Sequence, residues 1–317
     1  MSGSERESRG DRILLTAADP EEVARAAEVA AGGRLPWVRP GEPDASEAAV
    51  WFCAGRPPTE AVSLPRLRWI HSGWAGIENW FGRPEWREGV HLTRTVGDFP
   101  QRIAEYVACY LLADALGARE SWRLMESREW RRWTPGTLAG RALLVVGHGS
   151  IGRRIGEVAR ALGMATRGVR RGPLTPEDHA LGVEESSALD ALLPGADVVV
   201  NLLPLTRETE SFWNADRFDR FRPGSVFVNV SRGATVDEDA LVAALRGGRP
   251  SRAILDVFRE EPLQATSPLR ASPSVWITPH VAGIGTVEPL AADFAENWRR
   301  WIARKPLRHQ VVRARGY

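Results

Sequence analysis

The chain has 317 residues, of which 43% are hydrophobic and 26% charged, with a formal net charge of +2. That is the balance of an ordinary globular protein, and its near-neutrality implies no polyanion partner such as nucleic acid. The length suits one large domain or two ordinary ones, each able to bury its own core.

The opening "MSGSERESRG" is polar and no hydrophobic signal segment follows it, so 1–10 is expected to be a disordered tail on a cytoplasmic protein. "RILLT" (12–16) predicts a strand. "DPEEVARAAEVAA" (19–31) predicts a helix capped by Asp19, with Pro20 at its first position. "AAVWFCA" (48–54) and "LRWIHS" (67–72) predict further strands of a small parallel α/β unit. Cys53 and Cys109 lie in apolar runs and read as buried free thiols. A long helical pattern follows over 100–127, too long for a simple crossover and expected to bridge two domains. Regularity then breaks at Pro135, Gly136 and Gly140.

From 141 the rhythm is again strand, helix, strand. "ALLVV" (142–146), "ATRGV" (165–169), "DVVVNLL" (197–203), "SVFVNV" (225–230), "RAILDV" (252–257) and "VWITP" (275–279) are the candidate strands. Their near-continuous apolar runs suit strands covered on both faces. A final helix, about 286–304, is expected to return to the first domain and make it discontinuous. No stretch reaches the length of a membrane span, and there is no internal repeat.

"ALLVVGHGSIGRRIG" holds Gly147-x-Gly149-x-x-Gly152 between a predicted strand and a predicted helix. Gly147 permits the tight turn, Gly149 lets backbone approach a pyrophosphate, and Gly152 lets the helix pack on the strand. The helix N-terminus then faces the phosphates. An NAD binder carries an acid about 20 residues beyond the glycines to bond the ribose hydroxyls. Here Arg170 and Arg171 stand at that place. Arginine has donors only but clamps phosphate well, so the pair predicts NADP, with its 2′-phosphate, over NAD. Asp178 is too far along to replace the missing acid.

Three later segments place chemistry just past strand ends, where ligands meet parallel sheets. They are Arg232 in "FVNVSRGATVDEDAL", Asp256 with Glu260 and Glu261 in "ILDVFREEPL", and His280 in "WITPHVAGIG". A planar Arg232 can hold a substrate carboxylate or polarise a carbonyl. His280 can protonate a carbonyl oxygen as hydride arrives. Glu261 can orient that imidazole, and Asp256 can accept a bond from a nicotinamide amide. These pieces suit hydride transfer to a 2-keto acid.

Together, "GHGSIGRRIGEVARALGM", "NLLPLTRET", "NVSRGATVDEDAL", "LDVFREEPL" and "TPHVAG" resemble the D-isomer-specific 2-hydroxyacid dehydrogenases. "NLLPLTRETE" and "AEYV" (104–107) are similar to the glyoxylate/hydroxypyruvate reductase branch. The resemblance is strong over about 95–317 and thin before that. It implies an α/β fold of two Rossmann-like parallel-sheet domains. A flavodoxin-like substrate domain (11–113 with 290–317) would carry an inserted dinucleotide-binding domain (114–289), with the active site in the cleft between them. It implies Arg232, Glu261 and His280 as the catalytic set. Cofactor contacts would come from Gly147, Gly149, Ser150, Ile151, Gly152, Arg170, Arg171, Leu203, Pro204, Thr209, Val230, Asp256 and Gly283. "HSGWAGIENW" resembles the loop whose amides hold the substrate carboxylate, at Gly73, Trp74, Ala75 and Gly76. Bulky Trp74 either narrows the pocket toward two- or three-carbon acids or points elsewhere. Trp130 and Trp133 lie where some members send an aromatic from the partner of a homodimer, or else simply pack an interface.

The expected activity is NAD(P)H-dependent, NADPH-preferring reduction of a small 2-keto acid such as glyoxylate or hydroxypyruvate. No metal, nucleic-acid or membrane contact is expected. Two alternatives stay open on the same fold: a cofactor-sensing, corepressor-like binding protein and a phosphite-type dehydrogenase.

Overall fold

The computed structural model describes residues 10–313, so the expected tail over 1–10 falls, apart from Gly10, outside the described residues. The chain divides into two compact units. One is the chain up to Phe99 together with the segment from Gly285 onward; the other is Pro100–Ile284.

The first unit holds a five-stranded sheet of β1 (Arg12–Thr16), β2 (Trp37–Val38), β3 (Ala48–Cys53), β4 (Trp69–Ser72) and β5 (His91–Arg94), in the order β2-β1-β3-β4-β5. All its pairings are parallel, and the order is that of flavodoxin-like sheets. Every residue of β3 is buried, as a central strand covered on both faces requires. Alternate side chains feed two cores. Ile13, Leu15, Val50, Phe52 and Trp69 meet the helices Pro20–Ala31 and Val287–Ile302. Leu14, Trp51, Ile70 and Leu92 meet Trp80 and Trp86 on the other face. Helix Pro20–Ala31 begins where Asp19 accepts the Glu22 N–H at 2.9 Å, and it ends at Gly32 with φ 78°. The helix Val287–Ile302 does return to this unit: Phe294 stacks on Phe52 with ring centroids 4.2 Å apart.

The second unit holds β6 (Ala142–Val146), β7 (Ala165–Arg170), β8 (Val183–Glu185), β9 (Val198–Asn201), β10 (Val226–Asn229), β11 (Arg252–Leu255) and β12 (Val275–Ile277), in the order β12-β11-β10-β9-β6-β7-β8. Every pairing here is parallel too. Counted from β6, this is the dinucleotide-binding order 3-2-1-4-5-6 with one strand added, and strand order reverses between β6 and β9. Its main core joins Leu144, Val146, Val199, Phe227 and Leu255 to Trp213, Phe218 and Leu241.

The changeovers expected at 113/114 and 289/290 fall instead at 99/100 and 284/285. The reason is the helix Phe99–Leu116, which is pinned to the second unit. Tyr106 bonds Thr278 at 2.6 Å, Gln101 accepts from Arg154 at 2.6 Å, and Asp114 pairs with Arg252 at 2.9 Å. The helical pattern over 100–127 is two helices, broken at Gly117 with φ 75°. Cys53 is buried but Cys109 is exposed. It lies off the stripe Ile103, Ala104, Val107 and Leu111 that this helix buries. Trp133 donates its indole N–H to the Leu116 carbonyl at 3.1 Å, whereas Trp130 is 94% exposed. Among the described residues, no helix is long and apolar enough to cross a membrane.

Candidate active site

β6 delivers the chain into the glycine turn. Gly147 has φ +103°, and a Cβ there would stand 2.8 Å from the Leu202 carbonyl carbon, so two separate demands require glycine. A Cβ on Gly152 would meet the Gly147 oxygen at 2.9 Å; its absence lets the helix Ser150–Ala161 close on the strand. Gly149 differs, because a Cβ there would meet nothing within 4 Å. The backbone at 149 therefore borders open space, beside a helix N-terminus that no side chain caps. The N–H groups of Ser150, Ile151 and Gly152, which have no partner within the helix, form an anion site together with the positive end of the helix dipole. The turn fits the pyrophosphate of a dinucleotide. His148 sits behind it, 4% exposed, with its ring in the space that Gly168 leaves free. Burial holds the His148 imidazole below its ordinary range, against the opposing pull of Asp178.

Arg170 closes β7, next to this turn across the β6–β7 pairing of Val146 with Val169. Its Nη1 lies 3.4 Å from Oδ2 of Asp178, whose side chain is only 1% exposed. That oxygen also accepts from the Thr175 N–H at 2.9 Å and the Thr175 hydroxyl at 2.8 Å. Bonds from the Thr175 backbone lead in holding the Asp178 carboxyl below its usual range, with Arg170 adding to them. Asp178 thus tethers Arg170, a contact that linear spacing does not reveal. Arg171 pairs with Glu208 between exposed side chains. Such a pair is worth little and yields readily to a phosphate.

The turn after β10 is held by a buried polar network. Asn201 donates to Asn229 Oδ1 at 3.0 Å and to Thr235 Oγ1 at 2.8 Å. Asn229 and Thr235 both donate to the Arg232 carbonyl, at 3.2 and 2.6 Å. Arg232 is half-buried, and its Nη1 reaches the Ser231 carbonyl at 2.7 Å. A Cβ on the next residue, Gly233, would lie 1.8 Å from the Phe258 carbonyl carbon. The glycine in "SRG" therefore exists so that the chain after β11 can cross the arginine turn at van der Waals distance.

That crossing chain carries Glu261. Its Oε1 accepts the Phe258 N–H at 3.0 Å and its Oε2 lies 2.8 Å from Nδ1 of His280. A carboxylate only accepts, so the ring hydrogen sits on Nδ1 and Nε2 is left for chemistry. The His280 backbone is left-handed, φ 56°, with its N–H on the Asp256 carbonyl at 2.8 Å. Asp256 is 1% exposed. Its carboxylate accepts from the Thr278 hydroxyl at 2.6 Å, the Val281 N–H at 2.8 Å and the Ala282 N–H at 3.0 Å. These bonds make Asp256 an anchor of the His280 turn, with Oδ2 accepting from the Ala282 N–H. Tyr106, its phenol raised by burial, bonds Thr278 and extends that anchor into the preceding helix. Neither Tyr106 nor Thr278 was singled out as a site residue from sequence; only the "AEYV" motif marked the tyrosine's place.

The model for the D-isomer specific 2-hydroxyacid dehydrogenase NAD binding domain matches residues 109–282. The chain belongs to the D-isomer-specific 2-hydroxyacid dehydrogenase family. This dehydrogenase is 35% identical to a glyoxylate reductase of Aeropyrum pernix over 227 residues, 69% of its own length and 68% of the relative's. It superposes with TM-score 0.86 on a D-isomer specific 2-hydroxyacid dehydrogenase from Xanthobacter autotrophicus Py2 solved with NADPH and MES, at 33% identity over 97% and 99% of the two chains. With an NADPH-dependent glyoxylate/hydroxypyruvate reductase of Sinorhizobium meliloti, solved with NADP and sulfate, the TM-score is 0.82 at 28% identity over 97% and 100%.

The remaining expected residues of the dehydrogenase divide between lining and support. Thr209 is buried, and its hydroxyl bonds the Pro204 carbonyl at 2.6 Å and the Thr206 N–H at 2.8 Å, so it staples its own loop. Leu203 accepts from the Ser231 hydroxyl, tying that loop to the arginine turn. Val230 is buried, whereas Gly283 is partly exposed beyond His280. Gly73–Gly76 belongs to the first unit, past the end of β4. Gly73 is forced by Ala54, whose Cα a Cβ would meet at 2.7 Å, and the Trp74 N–H turns back to the Ser72 hydroxyl at 3.3 Å. Trp74 is 40% exposed.

Proposed function

We propose that the enzyme reduces a small 2-keto acid to the D-2-hydroxy acid and prefers NADPH, with glyoxylate and hydroxypyruvate as the first acids to test. The observation that carries this reading is the 2.8 Å contact of His280 with Glu261, on a chain that crosses against the Arg232 turn. Gly147, Gly149 and the start of the helix Ser150–Ala161 would hold the pyrophosphate, and Arg170 with Arg171 the 2′-phosphate. The bound nicotinamide supplies a hydride to C2 of the keto acid. Arg232 binds the substrate carboxylate and draws charge from the carbonyl. Starting from the imidazolium, which carries a hydrogen on each nitrogen, Nε2 of His280 gives its proton to the carbonyl oxygen and leaves the neutral ring with its hydrogen on Nδ1, so the C=O becomes CH–OH. Glu261 keeps the imidazole turned for that transfer.

Relatives named as glyoxylate or glyoxylate/hydroxypyruvate reductases, and structural neighbours solved with NADPH or NADP, support the substrate and the cofactor. On the same reading the enzyme works in the cytoplasm as a homodimer, which would cover the exposed Trp130; sedimentation tests that state. The deciding experiment follows loss of NADPH absorbance with glyoxylate, hydroxypyruvate and pyruvate. Turnover with none of them, nor with any larger 2-keto acid, overturns the proposal.

A further inference from the structure

Behind the glycine turn lies a buried group that the reductase chemistry does not use. The His148 ring fills the space over Gly168, where a Cβ would stand 2.5 Å from its Cδ2. Glycine in the middle of β7 therefore makes room for an imidazole. The Nδ1 atom of that imidazole is buried and meets no hydrogen-bonding partner among the described residues. The same holds for Oδ1 of the buried Asp178. Native proteins rarely leave such atoms idle, and both residues lie beside the arginine assigned to the 2′-phosphate. The Val169 carbonyl accepts the His148 N–H at 3.1 Å, and the next residue along β7 is Arg170. Arg170 lies 3.4 Å from the other Asp178 oxygen, Oδ2. All of these residues belong to Pro100–Ile284.

The charged groups acting on the ring are Asp178 from the helix Pro176–Ala180, Arg170 from β7, and Arg153 and Arg160 from the helix Ser150–Ala161. Burial and the three arginines keep the imidazole neutral, and Asp178 alone favours a charge on it. A 2′-phosphate held by Arg170 would add a second negative group and tip that balance. We infer that His148 is a specificity-determining residue: it takes up a proton when the 2′-phosphate binds, so that affinity for NADPH, but not for NADH, rises as pH falls. The imidazolium offsets the charge of Asp178, whose Oδ2 still holds Arg170 and Thr175 in place. The clamp thus sheds the repulsion of a buried carboxylate without losing its tether. The sign follows from linkage, because a group that holds its proton more tightly in the complex binds that proton together with the ligand. The inference rests on the NADPH-preferring reading and adds to it the group that tunes the preference.

The test titrates the full-length protein with NADPH and with NADH by fluorescence across pH, and needs no turnover. The NADPH-to-NADH affinity ratio should rise at least about threefold between about pH 8 and about pH 6.5, above the point near about pH 6 where a phosphate monoester takes up its own proton. His148→Gln, which cannot carry the charge, should leave the ratio flat or falling over that range. Asp178→Asn, which removes the counter-charge, should do the same and serves if the first variant fails to fold. A smaller rise in the unsubstituted protein, or a full rise that persists in the folded variant, overturns the inference and leaves the reductase reading and its cofactor preference intact. If NADPH binds no tighter than NADH at any pH, the cofactor preference fails, and NMR titration of the His148 ring proton with 2′,5′-ADP decides the proton uptake. A midpoint raised by about one pH unit or more by 2′,5′-ADP and not by 5′-AMP supports it; a smaller change, or an equal one with both, refutes it.

Discussion

Glu261 holds two groups at once: Oε2 on Nδ1 of His280 at 2.8 Å and Oε1 on the Phe258 N–H at 3.0 Å. The imidazole is therefore referenced to the backbone of the chain that crosses Gly233. Because the dyad is partly open to solvent, with side chains 52% and 36% exposed, its value lies in orientation rather than in buried charge.

His280→Ala should lower kcat by about 10²–10⁴-fold, the usual contribution of a positioned acid–base group. NADPH affinity should hold within about twofold, because His280 is assigned to the substrate's carbonyl and no part of the dinucleotide depends on it. Glu261→Gln should lower kcat about tenfold or more with a smaller change in KM. Rapid kinetics and a separate cofactor titration read the two effects; equal losses in both would count against the assignment.

Arg170→Ala combined with Arg171→Ala should weaken NADPH binding by about 100-fold or more, since two charge-assisted bonds at about 1.5–3 kcal/mol each amount to about 3–6 kcal/mol. NADH binding should stay nearly constant. Fluorescence titration with the two cofactors checks this, and parallel losses would remove the phosphate clamp from the account.

Asp178→Asn should reproduce part of that selectivity loss although residue 178 is buried. The substitution frees Arg170 and also weakens the cap of the helix Pro176–Ala180, where Asp178 and Thr175 bond reciprocally. Loss of such a cap costs about 1 kcal/mol, visible as a lower Tm. The two readouts separate tether from cap: Thr175→Ala should lower Tm while changing the NADPH-to-NADH ratio less.

Gly233→Ala places a methyl group inside the Phe258 backbone and should cost about 1–3 kcal/mol or more. It should also displace Glu261 and so depress kcat in whatever fraction remains folded. Normal turnover at normal Tm would mean that the crossing relaxes without disturbing the dyad.

Glu85, 2% exposed, pairs with Arg83 at 2.8 Å and accepts the Val62 N–H at 2.7 Å. Burial pushes its carboxyl up, but the Arg83 and Val62 bonds outweigh that and hold it below the usual range. A lowered folded-state value contributes stability above the unfolded carboxylate range, and that stability fades as pH falls through the folded value. Glu85→Gln should therefore lower Tm at pH 7, and the gap should close on acidification. A gap independent of pH would assign the loss to packing alone.

Much of this architecture is legible in the sequence because central strands announce themselves. β3, β6, β9 and β10 are nearly continuous apolar runs, and all lie inside their sheets. The strands missed, β2, β5 and β8, are sheet edges: "WV", "HLTR" and "VEE". Edge strands are kept short and polar, which erases the pattern that would reveal them. The helix break at Gly117 was obscured because the helical pattern continues beyond it. Among site residues, the His280–Glu261 pair follows from residue types set past strand ends. The Asp178 tether and the Asp256 anchor do not, since both depend on a loop folding back across residues that no periodicity connects.

The segment from Gly285 onward supplies Phe294, Ala291 and Trp298 to a core whose other half was laid down by β1, β3 and β4. On the ribosome, domains ordinarily fold in the order in which they emerge. Here the order inverts: Pro100–Ile284 emerges as one uninterrupted stretch and can finish first, while the earlier-made strands wait for a helix translated after it. The nascent chain therefore exposes an unfinished sheet until that helix emerges, and that sheet is where chaperone demand and premature-stop damage should concentrate.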